Sequence, residues 1–206
     1  MLDNYYYEIA AKFHNVSMPL EHFSRQHETV VSQKLRRGVF PGSFNPLTVA
    51  HLEIARRARD DYQLDEVHLT VSEVALDKPT PPGPSLPDRI ALIERDLVET
   101  PWLSVRTTSA MLIADIAMDY DAVIMGADKW QQVNDASYYG SDQDRDEAVA
   151  RLPEVIVADR TNYDTPHEHR LKTSEAIHDV SSTKAREGDR SMMAPEAAVH
   201  WHDGDD

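Results

Sequence analysis

The chain contains no cysteine. A disulfide framework, a thiolate metal site and a sulfur nucleophile are thereby excluded, although the absence does not by itself fix a redox compartment. Long apolar runs are missing too: no window approaches the roughly eighteen consecutive apolar residues that a membrane-spanning helix needs. The first residues, Met1 to Tyr7, have neither the basic stretch nor the apolar stretch of a secretory leader. A cytoplasmic location is the expectation. Positive charge is scarce: Lys and Arg number 21 against 36 Asp and Glu, a formal charge of −15. Such a balance repels polyanions at long range and argues against nonspecific nucleic-acid binding. An anionic small substrate remains compatible where basic groups converge locally. The basic residues near the informative segments are Lys78, Arg89, Lys184 and Arg186.

What is present is ordinary for a globular protein: 206 residues, 41% hydrophobic and 28% charged, enough for one domain with a sizeable core. Residues 1–34 form a polar extension with helical spacing at Tyr6, Ile9, Ala10 and Phe13 and a second candidate helix over 19–33. This N-terminal helical extension is expected to pack on the domain or on a partner subunit. From Leu35 strand and helix periods alternate. The pattern predicts strand 35–40, helix 49–62, strand 66–71, a stiff loop over 77–87 with five prolines, helix 87–98, a short strand near 103–105 and a helix from Ser109 to Met118. Strand 121–126 follows, then a polar loop over 131–145, strand 155–158 and a last short helix from Pro195, with a frayed acidic tail at 203–206. The run Ala122-Val123-Ile124-Met125 is apolar throughout, as a strand buried on both faces would be. Repeated βα alternation implies a Rossmann-like, doubly wound, mainly parallel sheet with helices on both faces over 35–202. In such sheets ligands bind beyond the carboxyl ends of the strands. Ser43 and His51 follow the first strand, Lys78 the second, Asp128 and Trp130 the fourth, and Ser181 to Arg186 the fifth.

The stretch Gly38 to His51 reads as strand, tight turn, helix. The turn leaves the N–H groups of Gly42, Ser43 and Phe44 outside a helical ladder, and with the helix N-terminus beyond them they suit an anion such as phosphate.

Gly42-Ser43-Phe44-Asn45-Pro46 followed by Thr48-Val49-Ala50-His51 resembles the first signature of the nucleotidylyltransferase superfamily, G-[ST]-F-[DN]-P and then [HT]-x-G-H. Val180-Ser181-Ser182-Thr183-Lys184-Ala185-Arg186 resembles its second signature, [IV]-S-S-T-x-x-R, in the expected order. Ala50 stands where that family usually has Gly. The first motif looks most like phosphopantetheine adenylyltransferase. The middle of the chain looks more like nicotinate or nicotinamide mononucleotide adenylyltransferase: Lys78 matches its loop lysine, Arg89 an Arg opening the next helix, and Gly126-Ala127-Asp128 its G-A-D.

The resemblance implies attack by a substrate phosphate on the α-phosphorus of ATP, with pyrophosphate released. Its implied catalytic residues are His51 and Ser43, as donors to the α-phosphate, and Arg186, as a cationic clamp on the leaving phosphates. Gly42, Phe44, Thr48, Gly126, Asp128, Ser181, Ser182 and Thr183 are implied at the nucleotide, and Lys78, Arg89 and Trp130 at the acceptor. Taken alone, His51 would be a helix-surface histidine, Asp128 a cap of the following helix and Trp130 a core or lid residue. Mg²⁺ is expected on the ATP phosphates, with no protein metal ligand assigned. The expected partners are ATP and a small phosphorylated acceptor, not nucleic acid or membrane, with a homo-oligomer left open. Cytidylyl transfer and phosphopantetheine as acceptor stand as alternatives, as does a nucleotide-binding module without turnover.

Overall fold

Hydrophobic alternation along the strands sorts the core into two layers, because successive strand residues point to opposite faces. The computed structural model describes residues 34–73 and 82–202. Its strands are β1 (Arg37–Pro41), β2 (Glu66–Ser72), β3 (Leu103–Thr108), β4 (Ala122–Gly126), β5 (Glu154–Ala158) and β6 (Arg170–Leu171). They form one sheet in the order β3-β2-β1-β4-β5-β6, with every pairing parallel. Phe40, Val67, Leu69, Ile124 and Ile156 face one layer of helices, and Val39, Val123, Met125, Val155 and Val157 face the other. The first layer includes α1 (Val49–Tyr62), α2 (Leu86–Asp96), α6 (Ser182–Arg186) and α7 (Pro195–His200). The second includes the single turn α3 (Ile113–Ile116) and α4 (Ala127–Val133). Helix α5 (Asp142–Ala150) completes the set. The expected doubly wound parallel sheet is present.

Strand order reverses between β1 and β4, which pair at Gly38↔Ala122 and Val39↔Val123. Neighbouring connections leave in opposite directions there, and a crevice opens beyond the carboxyl ends of the two strands. Helix α1 starts at that crevice. Thr48 caps it, and it ends at Gln63 in the left-handed region, φ 54°.

Several elements depart from the sequence reading. The helix expected over 109–118 is one turn only: β3 runs on to Thr108, whose hydroxyl accepts from the Ala110 N–H at 3.1 Å. The polar loop expected over 131–145 instead carries the end of α4, a 3₁₀ turn at Ala136–Tyr138 and the start of α5. Helix α5 buries only Ala148, so it has no apolar stripe to betray it. Ser141 caps it by accepting from the Asp144 N–H. The second signature follows the two-residue strand β6, not β5. Lys78, residues 1–33 and the tail 203–206 lie outside the described residues, and no helix among those described is long and apolar enough to cross a membrane.

Ile124 on β4 is fully buried in the first layer of the core. Ile124→Ala is expected to lower unfolding free energy by about 2–5 kcal/mol, whereas Val98→Ala at an exposed position should change it by less than about 0.5 kcal/mol, as read by urea denaturation.

Candidate active site

The turn between β1 and α1 is shaped by one aromatic ring. Phe44 is buried with φ +44°, a conformation sparsely populated by residues with a Cβ. Its ring meets Phe40 edge-on at 5.6 Å and His51 at 5.0 Å between centroids. The same ring lies over Gly42, where a Cβ would sit 2.8 Å from Phe44 Cζ. That contact is why the position is glycine. The Gly42 N–H donates to the Thr70 carbonyl at 3.0 Å, prolonging the β1–β2 ladder. It is therefore not available to an anion, contrary to the sequence reading. Among the described residues, the N–H groups of Ser43 and Phe44 have no hydrogen-bond partner, and Ser43 is exposed.

Thr48 and His51 form a reciprocal capping box. The Thr48 hydroxyl accepts from the His51 N–H at 3.4 Å, and His51 Nδ1 accepts from the Thr48 N–H at 3.1 Å. Imidazole replaces the usual Glu or Gln of this motif. A backbone N–H can only donate, so Nδ1 is an acceptor and the ring proton lies on Nε2. Burial, aided by the nearby Arg160 guanidinium and opposed by Asp128, lowers the His51 pKa to about 4. At neutral pH the ring is an uncharged donor.

The second signature lies against this turn. Arg186 Nη1 donates to the Asn45 carbonyl, and Arg186 Nη2 to Thr183 Oγ1 at 3.4 Å. The Ser182 hydroxyl donates to the Pro46 carbonyl at 2.8 Å, and the Ala194 N–H to the Leu47 carbonyl at 2.9 Å. Ser181 caps α6 through the Lys184 N–H.

Across the crevice, Gly126 precedes α4 without a side-chain cap, and a Cβ there would lie 2.7 Å from Asp128 Oδ1. The Asp128 carboxylate accepts from Arg160 Nη1 at 3.2 Å rather than capping the helix. Arg160 Nη2 reaches the Val180 carbonyl at 3.4 Å.

These parts bound one cleft of about 460 Å³, lined among others by Gly42, Ser43, Phe44, His51, Gly126, Asp128, Ser181, Ser182 and Thr183. Thr48 sits behind His51 as its cap, and Arg186 sits behind the turn rather than among the lining residues. Ala50 is among the residues that line the cleft. Trp130 instead walls a separate cleft of about 690 Å³ with Tyr138 and Tyr163, its ring edge-on to His169 at 5.2 Å. Arg89, half-buried on α2, lines neither cleft, and its Nε is buried without a hydrogen-bond partner. The sequence reading missed Arg160, Asp159, Lys129 and His178, which all line the main cleft. Arg160 stands two residues beyond the apolar end of β5, so the strand-end rule applied to that strand would have found it. No group of three or more His, Cys, Asp or Glu converges as a metal site among the described residues.

Two outcomes follow. In ¹H–¹⁵N spectra of the free protein, His51 should show the Nε2–H tautomer and titrate near pH 4. Because its pKa lies below the unfolded value near 6.5, its share of stability is complete above pH 6.5 and declines as pH falls toward 4. A midpoint near 6.5 would contradict this environment. Gly42→Ala should displace the Phe44 ring and cost about 1–3 kcal/mol in denaturant unfolding.

Known proteins resemble this chain in sequence and in fold. A "Probable nicotinate-nucleotide adenylyltransferase" of Salinibacter ruber is 29% identical over 132 residues, covering 58% of this chain and 65% of that protein. One of the same description from a Geobacter species is 35% identical over 82 residues, covering 40% of this chain and 34% of the relative. The chain thus spans less than two thirds of the length of these curated relatives. The structure of Plasmodium falciparum nicotinic acid mononucleotide adenylyltransferase complexed with NaAD superposes with a TM-score of 0.55 at 12% identity, over 75% of this chain and 83% of the other, a likeness of fold. The family model described as cytidylyltransferase-like matches residues 39–188, from β1 through the second signature, and the chain belongs to that family.

Proposed function

We propose that the chain is an adenylyltransferase: it moves the adenylyl group of ATP to the phosphate of nicotinate or nicotinamide mononucleotide and releases pyrophosphate. The observation that carries this reading is the meeting of Ser43, His51 and Ser181–Thr183 around one cleft at the reversal of strand order. The relatives described as nicotinate-nucleotide adenylyltransferases support the choice of acceptor.

A phosphate monoester has its second pKa near 6, so the nucleophilic oxygen is already anionic at neutral pH. No general base is needed. The acceptor oxygen bonds to the α-phosphorus as the α–β bridge breaks, and the electron pair leaves with pyrophosphate. What the protein supplies is alignment and compensation of the charge on the five-coordinate phosphorus. His51, uncharged with its donor on Nε2, suits an α-phosphate oxygen without transferring a proton. The N–H groups of Ser43 and Phe44 are further donors on the same side. Arg160 brings a guanidinium to the cleft from the other side. Mg²⁺ enters as part of the substrate, carried by the phosphates of ATP. The acceptor's phosphate is assigned to Lys78, while Arg89 and Trp130, which do not line the main cleft, are given no part in this reading.

Pyrophosphate release assayed with ATP or CTP against nicotinate mononucleotide, nicotinamide mononucleotide and pantetheine phosphate tests the reading. Turnover is expected with ATP and a pyridine mononucleotide, and His51→Ala should reduce it on the order of a hundredfold with the fold intact. Turnover with CTP or pantetheine phosphate alone would move the chain to another substrate. ATP binding with no pyrophosphate from any pair would make it a nucleotide-binding module.

A further inference from the structure

A smaller slot of about 230 Å³ adjoins the main cleft. It is walled by Met111, Leu112 and Ile113 after β3, by Val133 at the end of α4, and by Tyr138 and Tyr139. Because every strand pairing is parallel, the segments that follow β3 and β4 emerge at one edge of the sheet, the edge at which the main cleft opens. The slot is held in shape from both sides. The Tyr139 hydroxyl donates to the Val133 carbonyl at 2.9 Å, and the Ser72 hydroxyl at the end of β2 donates to the Ala110 carbonyl at 3.3 Å. Among the described residues Lys129 is the one that lines both spaces, and it is the only charged residue lining the slot. Its ammonium donates to Gln132 Oε1 at 2.8 Å, one turn along α4.

An apolar and aromatic slot with one cation at its junction with the cleft suits a flat ring that carries an anionic substituent. We propose that Lys129 is a specificity-determining residue, which makes the acid, nicotinate mononucleotide, the preferred acceptor over the amide, nicotinamide mononucleotide. The ring nitrogen that bears the ribose is quaternary, so the amide ring has a net positive charge, whereas in the acid the carboxylate balances it. The Lys129 ammonium repels the first ring and pairs with the carboxylate of the second. Both effects favour the acid. Because Lys129 also lines the main cleft, its rival duty is contact with a phosphate. Both acceptors and ATP carry phosphate, so that duty is blind to the difference between acid and amide. The proposal rests on the adenylyl-transfer reading for its choice of acceptors.

The test uses the full chain and two readouts. Initial rates of pyrophosphate release with Mg·ATP give kcat/KM for the two mononucleotides in wild type, Lys129→Met and Lys129→Arg. Wild type is expected to prefer the acid by about tenfold or more, and Lys129→Met to lower the ratio of acid to amide about tenfold, through the KM of the acid and with the KM of ATP unmoved. Lys129→Arg, which keeps the charge, should retain most of the preference. A wild type that does not prefer the acid, or a ratio unchanged in Lys129→Met, overturns the proposal; equal losses for both acceptors with a raised KM for ATP would mark a phosphate contact instead. Where Lys129→Met fails to fold, Lys129→Gln carries the comparison. Calorimetric titration of each mononucleotide into the same proteins, with a nonhydrolysable ATP analogue present, reads the preference apart from turnover. A wild type that binds the acid by the expected margin, lost in Lys129→Met, yet releases no pyrophosphate would sink the transferase reading and leave the selector standing. Equal use of acid and amide by an active enzyme would sink the selector alone, and binding of neither would sink both.

Discussion

A turn that carries Pro46 and a left-handed Phe44 cannot satisfy its own backbone. The carbonyls of Asn45, Pro46 and Leu47 lie buried between a strand that has ended and a helix that has not begun, so neither ladder can reach them. Buried carbonyls without partners are costly, and donors must therefore come from elsewhere in the chain. They come from Ser182, Arg186 and Ala194. The closeness of the two signatures, more than a hundred residues apart in sequence, follows from that need. The cleft they share is a consequence of how the turn is held.

Charge in the cleft is arranged against the background of the chain. With a formal charge of −15, the molecule as a whole does not attract a triphosphate. Locally, Arg160 and Lys129 stand with Asp128 and Asp159 among the lining residues, and Asp128 is paired to Arg160. His51 adds no charge, because burial and the guanidinium of Arg160 keep it neutral. Under the proposed function, affinity for an anionic ligand would rest on directed N–H groups rather than on net positive potential, which suits a reaction whose charge develops at a fixed place.

Much of this was legible along the chain. Helix α1 appears at its observed bounds because Thr48 marks its start and apolar spacing carries it to Tyr62. β4 appears because a strand buried on both faces is apolar at every residue. Helix α5 was missed because a helix burying one alanine leaves no periodic trace, and β6 because two residues have no period. In the site, residues of the β1–α1 turn and of the second signature were legible as motifs, but their bonds were not. The duty of Arg186 toward Asn45 is to a backbone acceptor, which no residue type announces. The glycine at 42 answers to a ring two residues on, whereas Arg160, two residues past the apolar end of β5, was within reach of the strand-end rule. Trp130 shows the converse: its residue type suits stacking, while its helix turns it to a different cleft.

The capture of the turn by residues 182–194 also bears on folding, because its bonds join residues 136 and 141 positions apart. Contacts of such separation carry a large loop-closure entropy, so they are expected to form after the nearer strand pairs β1–β2 and β4–β5, and the cleft takes its shape with the last of them.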